Sequence, residues 1–301
     1  MGVMTTGNFP KLLWPGMNAI WGQSYEDWPR KFAQMFDIKS SEKNYEEDAE
    51  VPGFGLAPVK PQGSSTIYDQ TQQQTISRYQ HVAYALGFIV THEEMKDNLY
   101  EKKGFDGTKA LSRSMRHTVE NVAANIYNRG FDTAFAGGDG KPLFSASHPT
   151  VSGNQSNLLT AADLSEAALE DAVIQIMNAV DARNLKISLM PESLHIATAN
   201  VFEAERILKS ILTPGTGNNA INALRSTGMF PKGAMVNPYL SDADAYFIRT
   251  DVDNGMTFFW REEPSFAQDG DFDTSNLKYK AYQRFSAGWS DFRGAYGNPG
   301  A

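Results

Sequence analysis

Histidine is the first residue type to test for chemistry, because imidazole serves both as a metal ligand and as a general base. The five histidines are scattered over positions 81 to 195, with no HExxH motif and no pair at ligand spacing. The chain contains no cysteine, which excludes disulfides, thiolate nucleophiles and cysteine-ligated zinc or iron–sulfur sites. The sequence therefore predicts no metal centre and no cofactor.

Two stretches approach nucleotide-binding motifs without completing them. Gly140-Lys141 is followed by proline, and Phe135 occupies the position where a P-loop needs its first glycine. Residues 215–220 match GxGxxA formally, but they follow a proline and a helix where a dinucleotide site needs a strand. We interpret the second stretch as a loop.

The acidic residues do not define a site either. Asp269, Asp271 and Asp273 resemble the start of a calcium loop, but Thr274 and Lys280 replace the glycine and the bidentate glutamate that such a loop requires. An acidic turn is the favoured interpretation. Other carboxylates occur throughout the chain, so a hydrolase with a site built from dispersed carboxylates stays open as an enzymatic alternative.

Charge and length restrict the function classes further. The 301 residues include 27 Lys and Arg against 35 Asp and Glu, a formal charge of −8. This sign is wrong for a protein that coats nucleic acid, so any contact with DNA is expected to be loose. Apolar runs are too short for a membrane span, and the first residues lack a signal-peptide pattern, so we expect neither membrane insertion nor classical export.

The elements that would position these residues begin with an arm, residues 1–50. A helix is predicted over Tyr25 to Ile38, where Trp28, Phe32, Met35 and Phe36 form one apolar stripe that needs a partner surface. The acidic run from Glu42 to Glu50 is predicted to be a solvated linker, with a docking patch as the alternative.

A projecting hairpin is predicted next. Alternating apolar residues from Thr75 to Val90 indicate a strand of about 16 residues, longer than strands in compact domains usually are. Gly63 to Tyr68 would be the outgoing strand and Asp69 to Gln74 the tip. The alternative is two short strands with a break near His81.

The remainder predicts an α+β fold. The clearest helix runs from Asp106 to Arg129 with Gly130 as its stop, and others start at Asp163 and Asn200. Strands are predicted at 193–198, 245–250 and 256–261, the last two joined by a turn at Asn254-Gly255. The final strand, 277–289, carries a basic face of Lys278, Lys280 and Arg284, which fits a solvated face, an acidic partner or DNA.

The order of these elements, together with several local motifs, resembles the major capsid protein of tailed double-stranded DNA bacteriophages, the Hong Kong 97-type fold. The motifs are Tyr45-Glu-Glu-Asp48, Gly140-Lys-Pro-Leu-Phe144, Ser147-His-Pro149, Val236-Asn-Pro-Tyr-Leu240 and Asp242-Ala-Asp-Ala-Tyr246. The resemblance implies a non-catalytic structural protein that forms pentamers and hexamers of an icosahedral head around double-stranded DNA. It would assemble in the host cytoplasm and reside in the virion.

The resemblance also implies roles along the chain. Residues 1–50 would be the N-terminal arm, 51–90 the extended loop, 91–149 with 256–301 the peripheral domain with its spine helix at about 106–129, and 150–255 the axial domain. Candidates for the capsomer-axis loop are Gly215, Gly217, Asn218 and Asn219. Candidates for contacts between subunits are Trp14, Trp21, Trp28, Phe32, Phe36, Tyr68, Ile76, Arg78, Lys278, Lys280 and Arg284.

The implied partners are further copies of the chain, a separate scaffolding protein, a portal protein, packaged DNA and a possible cement protein, with no membrane. Some members of the family that the chain resembles cross-link covalently through a lysine on the extended loop. Residues 69–77 contain no lysine here and Lys60 is expected near the loop base, so the resemblance implies a non-covalent shell. The alternative within the same architecture is an encapsulin-like compartment shell, and a phage tail or decoration protein is a further alternative.

Overall fold

The computed structural model describes residues 14–96, 100–212, 221–271 and 273–301. Its helices are α1 (Trp14–Glu26), α2 (Phe32–Met35), α3 (His92–Lys96), α4 (Tyr100–Asn128), α5 (Glu166–Met177), α6 (Val201–Lys209) and α7 (Ala223–Thr227). Its strands are β1 (Asp37–Ser40), β2 (Tyr45–Ala49), β3 (Ile76–Gln80), β4 (Val82–Val90), β5 (His148–Thr150), β6 (Gly153–Gln155), β7 (Pro191–Ile196), β8 (Ala234–Val236), β9 (Tyr246–Thr250), β10 (Met256–Gly270), β11 (Leu277–Trp289) and β12 (Ala295–Asn298).

The first sheet has the order β1-β10-β11-β4 and is dominated by the long β10–β11 hairpin. Side chains alternate along β11 as the period of two predicts: Leu277 and Tyr279 are buried, whereas Lys278 and Lys280 are exposed. The buried side faces α4, where the side-chain amide of Gln283 donates to the carbonyl of Met115 at 3.1 Å.

Helix α4 confirms the predicted spine helix and begins six residues earlier than expected. Its 29 residues span about 44 Å at 1.5 Å per residue. The predicted stripe is buried at Leu111, Met115 and Val119. Gly130 follows the helix for a packing reason, since a Cβ there would lie 2.5 Å from the ring of Phe144.

The second sheet has the order β12-β9-β7-β8 and packs against α5 and α6 around a separate core. The predicted strands and helices of this region are present, although α5 is capped by the hydroxyl of Ser165, 3.2 Å from the amide of Ala168, and not by Asp163. The predicted turn at Asn254-Gly255 is present, but the two strands that it joins do not form a hairpin, because β9 and β10 belong to different sheets. Strand β12 pairs with β9, so the end of the chain joins the sheet of the 150–255 segment.

The arm is corrected by the structure. A single helix over Tyr25 to Ile38 is wrong, because α1 ends at Glu26 and a turn containing Pro29 separates it from α2. Phe32 and Phe36 lie in the main core, where the Phe32 ring centroid is 4.8 Å from that of Phe258.

Trp21 is also covered within its own chain, stacked on Phe266 at 5.2 Å. The prediction that Trp21, Phe32 and Phe36 need a neighbouring subunit to cover them is therefore wrong. Their partner surface is the first sheet and α4, which the sequence pattern of the stripe could not identify.

The hairpin region follows the alternative with a break at His81, since β3 and β4 are separate strands. The outgoing strand is β2, which contains Glu46, Glu47 and Asp48 of the acidic run and pairs antiparallel with β3, so the linker interpretation is wrong for this part of the run. Cross-strand pairing explains this outcome: Glu47 lies opposite Arg78 and forms an ion pair with it at 2.5 Å. Residues 63–68 form no strand. The predicted tip at Asp69 to Gln74 is also wrong, because the amide of Gln74 bonds to the carbonyl of Glu50 at the base of the projection.

Candidate assembly surfaces

The segment 51–74 is exposed along most of its length. From here on, the extended loop means this segment, which is the part of the expected 51–90 loop that precedes β3. At its root the amide of Glu50 donates to the carbonyl of Thr75 at 2.9 Å, and the amide of Gln74 donates to the carbonyl of Glu50 at 2.9 Å. Farther out, the amide of Gly55 donates to Asp69 Oδ2 at 2.8 Å. The loop thus runs out and back as an irregular hairpin without ladder pairing.

The apolar side chains of the extended loop are not covered by their own subunit. Six of them have relative exposures between 60% and 92%. They are Val51, Phe54, Leu56, Val59, Ile67 and Tyr68. An apolar group of this size on a folded subunit is typical of a surface that another protein covers.

The loop root sits in a charged environment. The carboxyl of Glu50 accepts from Thr75 Oγ1 at 3.0 Å and lies 3.9 Å from the guanidinium of Arg293, which also pairs with Asp291 at 3.0 Å. Burial raises the pKa of Glu50, with additional contributions from Asp291 and Asp139, while the Thr75 hydrogen bond and Arg293 oppose the rise. The root therefore combines a partly buried carboxyl with two neighbouring acids.

A buried polar cluster supports this root from below. His148 stacks on Phe292 with ring centroids 4.0 Å apart, and its ring nitrogens lie 2.5 Å from Asp139 Oδ2 and 3.0 Å from Asn157 Oδ1. The amide nitrogen of Asn157 donates to three backbone carbonyls, among them that of Leu143 at 2.6 Å. The cluster ties three segments of the chain together and is structural.

The other predicted contact residues of the hairpin differ in their surroundings. Tyr68 and Ile76 are exposed, as a contact surface requires. Arg78 is exposed but occupied within its own chain, because it pairs with Glu47 and lies over the ring of Tyr45 at 4.7 Å. Any contact that Arg78 makes with another subunit would therefore include this pair.

The basic face of β11 is partly neutralised within the subunit. Lys278 pairs with Asp271 at 2.6 Å, and Arg284 donates to Asn44 Oδ1 at 2.5 Å. Lys278 is the main cause of a lowered pKa of Asp271. Lys280 is exposed on the same face of β11.

Among the described residues no group of three potential metal ligands is found.

The candidate axis loop, with Gly215, Gly217, Asn218 and Asn219, lies outside the described residues. Its flanks are joined by a bridge between Leu212 and Ile221. Ile211 and Ile221 beside it have exposures of 70% and 71%. This end of the subunit thus carries a second exposed apolar group.

The arm is anchored to α4 by a buried ion pair that sequence reasoning missed. Glu120 accepts from the amides of Lys31 and Phe32 at 3.0 and 2.8 Å, and it lies 3.8 Å from Arg116. Both charged side chains are at most 3% exposed. Burial raises the pKa of Glu120, opposed by Arg116 and the two amides. The i,i+4 spacing of the pair was the available signal.

Two predicted contact residues of the arm are placed differently. Trp28 is half-buried, with the guanidinium of Arg113 5.1 Å from its ring. Trp14 begins α1, and its side chain lies outside the described residues.

One buried pair has the residue types of a hydrolase without the access that hydrolysis needs. Ser193 Oγ lies 2.9 Å from His195 Nε2, and both residues are fully buried in β7. Burial lowers the pKa of His195 to about 3. The pair therefore packs on the face of β7 that meets the main core, where the His195 ring lies 6.2 Å from that of Tyr127.

Within the described residues, no helix combines the length and apolar character that a bilayer crossing requires.

Comparisons with known proteins place the chain in a family. A family model described as phage capsid protein matches residues 74–298, about three quarters of the chain. No curated protein matches.

Three solved structures illustrate the similarity in fold. A virus-like particle from Pyrococcus furiosus has a TM-score of 0.56 and 10% identity, covering 94% of this chain and 98% of that one. The capsid of Myoviridae phage XM1 has a TM-score of 0.54 and 11% identity, covering 100% and 99%. A protein from Microbacterium phage Oxtober96 has a TM-score of 0.53 and 9% identity, covering 90% of each chain. The chain belongs to the phage capsid protein family and is a structural major capsid protein of the virion, with the Hong Kong 97-type fold.

Proposed function

We propose that the chain builds the pentamers and hexamers of an icosahedral head that encloses double-stranded DNA, using the extended loop as its principal contact between subunits. The observation that carries this proposal is the exposure of six apolar loop side chains that their own subunit leaves uncovered. A second copy of the chain is the partner that every subunit of a shell meets, and burial of this surface stabilises the contact.

We assign 91–149 with most of 256–301 to a peripheral domain and 150–255 to an axial domain. This assignment is supported by the two separate sheets, one containing β10 and β11 and the other β7, β8 and β9, and β12 contributes to the second sheet. In this arrangement the exposed flanks Ile211 and Ile221 support a position of the 213–220 segment near the capsomer axis.

The finer partners follow from shell assembly and charge. A separate scaffolding protein, a portal protein and a possible cement protein would bind the assembled lattice. Packaged DNA would touch the shell loosely, since the formal charge of −8 disfavours tight neutralisation of phosphates. We propose a non-covalent shell, because residues 69–77 contain no lysine. Lys60, which was expected near the base of the loop, lies instead beside the turn at residues 61–64, where the amide of Ser64 donates to the carbonyl of Pro61 at 3.1 Å.

The test replaces the five most distal apolar side chains of the loop by serine: Phe54, Leu56, Val59, Ile67 and Tyr68. Wild-type and variant chains are expressed with and without a co-expressed scaffolding protein and compared by negative-stain microscopy and light scattering. We expect closed shells from the wild type and unassembled subunits of unchanged unfolding free energy from the variant. The unchanged stability follows because these side chains are not part of either core.

A control replaces Ile174 and Met177, two exposed apolar side chains of α5, by serine. Closed shells of normal size from the five-serine variant would refute the role of the loop. Nucleic-acid content of the purified wild-type particles separates a phage head from a shell that encloses proteins, since only the former encloses double-stranded DNA.

A further inference from the structure

Arg183 lies on a short turn of the proposed axial domain, between α5 and β7. Asp181 Oδ1 accepts from the amides of Arg183 and Leu185, both at 2.8 Å, and Asn184 adopts a left-handed conformation with φ of 68°. The Arg183 side chain is only 20% exposed, so its guanidinium is held in place on the surface of its own subunit.

This guanidinium forms hydrogen bonds to the extended loop. Arg183 Nη1 donates to Asp69 Oδ2 at 2.7 Å, and Nη2 donates to the carbonyl of Gln70. The same Asp69 oxygen accepts from the amide of Gly55 on the opposite limb of the loop at 2.8 Å. One arginine therefore fixes both limbs of the loop through a single carboxylate.

The charges around this contact favour the ionised carboxylate. The amide of Gly55 and the guanidinium of Arg183 together lower the pKa of Asp69, with the amide contributing more. Charge-assisted hydrogen bonds with two donors from one guanidinium are geometrically specific, so they set the direction of the loop as well as its position.

The contact leaves the apolar side of the loop free. With the Arg183 contact formed, Phe54, Leu56 and Tyr68 are still more than 60% exposed. An inhibitory contact would hide these side chains from a partner. This contact instead holds the backbone while the side chains point to solvent, which is the arrangement of a surface prepared for binding.

We propose that Arg183 is a positioning residue that holds the extended loop, before assembly, in the orientation in which it meets a second copy of the chain. The inference rests on the proposed function of the loop. A loop that is already ordered loses less conformational entropy when it is captured, so the association is tighter for the same contacts. Without Arg183 the loop remains attached through its root at Glu50 and Thr75.

The experiment compares Arg183→Ala with a matched control, Arg206→Ala, which removes an exposed arginine paired with Glu203 on α6. Chymotryptic cleavage after Phe54 and Tyr68 and amide exchange at Gly55 are measured on unassembled subunits. We expect Arg183→Ala to raise both rates by about fivefold and the control to leave them unchanged. The critical concentration for shell formation, measured by light scattering, should rise by a similar factor.

Rescue by an exchanged pair separates positioning from general stability. The double variant Arg183→Asp with Asp69→Arg restores the ion pair but removes the acceptor of the Gly55 amide, so we expect its critical concentration to lie between those of the wild type and Arg183→Ala. Unchanged cleavage and exchange in Arg183→Ala would overturn the proposal, and so would a critical concentration that stays constant or falls. Failure of the wild type to form shells would instead refute the proposed function, and exchange in the unassembled subunit would still show whether Arg183 holds the loop.

Discussion

The buried pair of Arg116 and Glu120 makes the attachment of the arm a quantitative test. Replacement of Glu120 by alanine removes the acceptor of two backbone amides at the start of α2. It also leaves Arg116, 3% exposed, without its carboxylate partner. Removal of one partner of a buried ion pair typically costs about 3–5 kcal/mol, and we expect a loss of unfolding free energy in this range.

The second variant removes both charges. In Arg116→Met with Glu120→Leu no unpaired charge remains, and the methionine can fill the space between the rings of Tyr25 and Phe32, which now face the guanidinium at 5.1 and 5.2 Å. The two backbone amides still lack their acceptor, which costs about 1–3 kcal/mol. The double variant should therefore be more stable than Glu120→Ala alone.

Urea unfolding of the unassembled subunit, followed by tryptophan fluorescence, measures these differences, and equal m-values would show that the same transition is compared. The control is Glu205→Ala, which removes a half-exposed carboxylate paired with Lys209 and should cost less than about 1 kcal/mol. A double variant that is no more stable than Glu120→Ala, or a single variant within 1 kcal/mol of the control, would refute the assignment of a buried, charge-dependent anchor.

Two further predictions concern packing and pH. Gly130→Ala should destabilise the subunit by about 1–3 kcal/mol in thermal unfolding, because its Cβ would lie 2.5 Å from the ring of Phe144. The control is Gly22→Ala in α1, whose Cβ meets no atom within 4 Å and which should be neutral or stabilising. Equal effects of the two substitutions would contradict the packing argument. The pKa of the Glu50 carboxyl is raised in the native state above its unfolded value near 4.5, so the native state binds the carboxyl proton more tightly than the unfolded state does. The contribution of Glu50 to the free energy of unfolding is therefore present at acidic pH and is lost as pH rises through the native pKa. The melting temperature of wild type relative to Glu50→Gln should therefore fall from pH 4.5 toward neutrality, and a constant difference would exclude Glu50 as the cause.

Much of the fold was accessible from local patterns. The 3.6-residue period around Leu111, Met115 and Val119 predicted α4, and the period of two from Leu277 onward predicted β11, because each pattern is produced by the geometry of its own element. The order of elements was also sufficient for the resemblance to capsid proteins, which the family match over residues 74–298 confirms.

Pairing between distant segments was not accessible in this way. The acidic run at 45–49 became β2 because β3 offers Arg78 opposite Glu47, a contact between residues 31 positions apart. The apolar stripe of the arm was recognised correctly as a face that must pack against another surface. The stripe shows which side chains have to be buried, but it does not show whether the same chain or another subunit buries them. The structure places that surface on α4 and the first sheet.

The sequence by itself therefore determined the α+β class, the spine helix, the long strand β11 and the absence of cysteine chemistry, since these depend on composition and on spacing within one element. Only the tertiary structure decided that the arm is covered by its own subunit through Arg116 and Glu120 while the loop at 51–74 is not. The physical reason is that burial is a property of the surfaces that meet, so an exposed Tyr68 and a buried Trp21 cannot be distinguished from their own residue types.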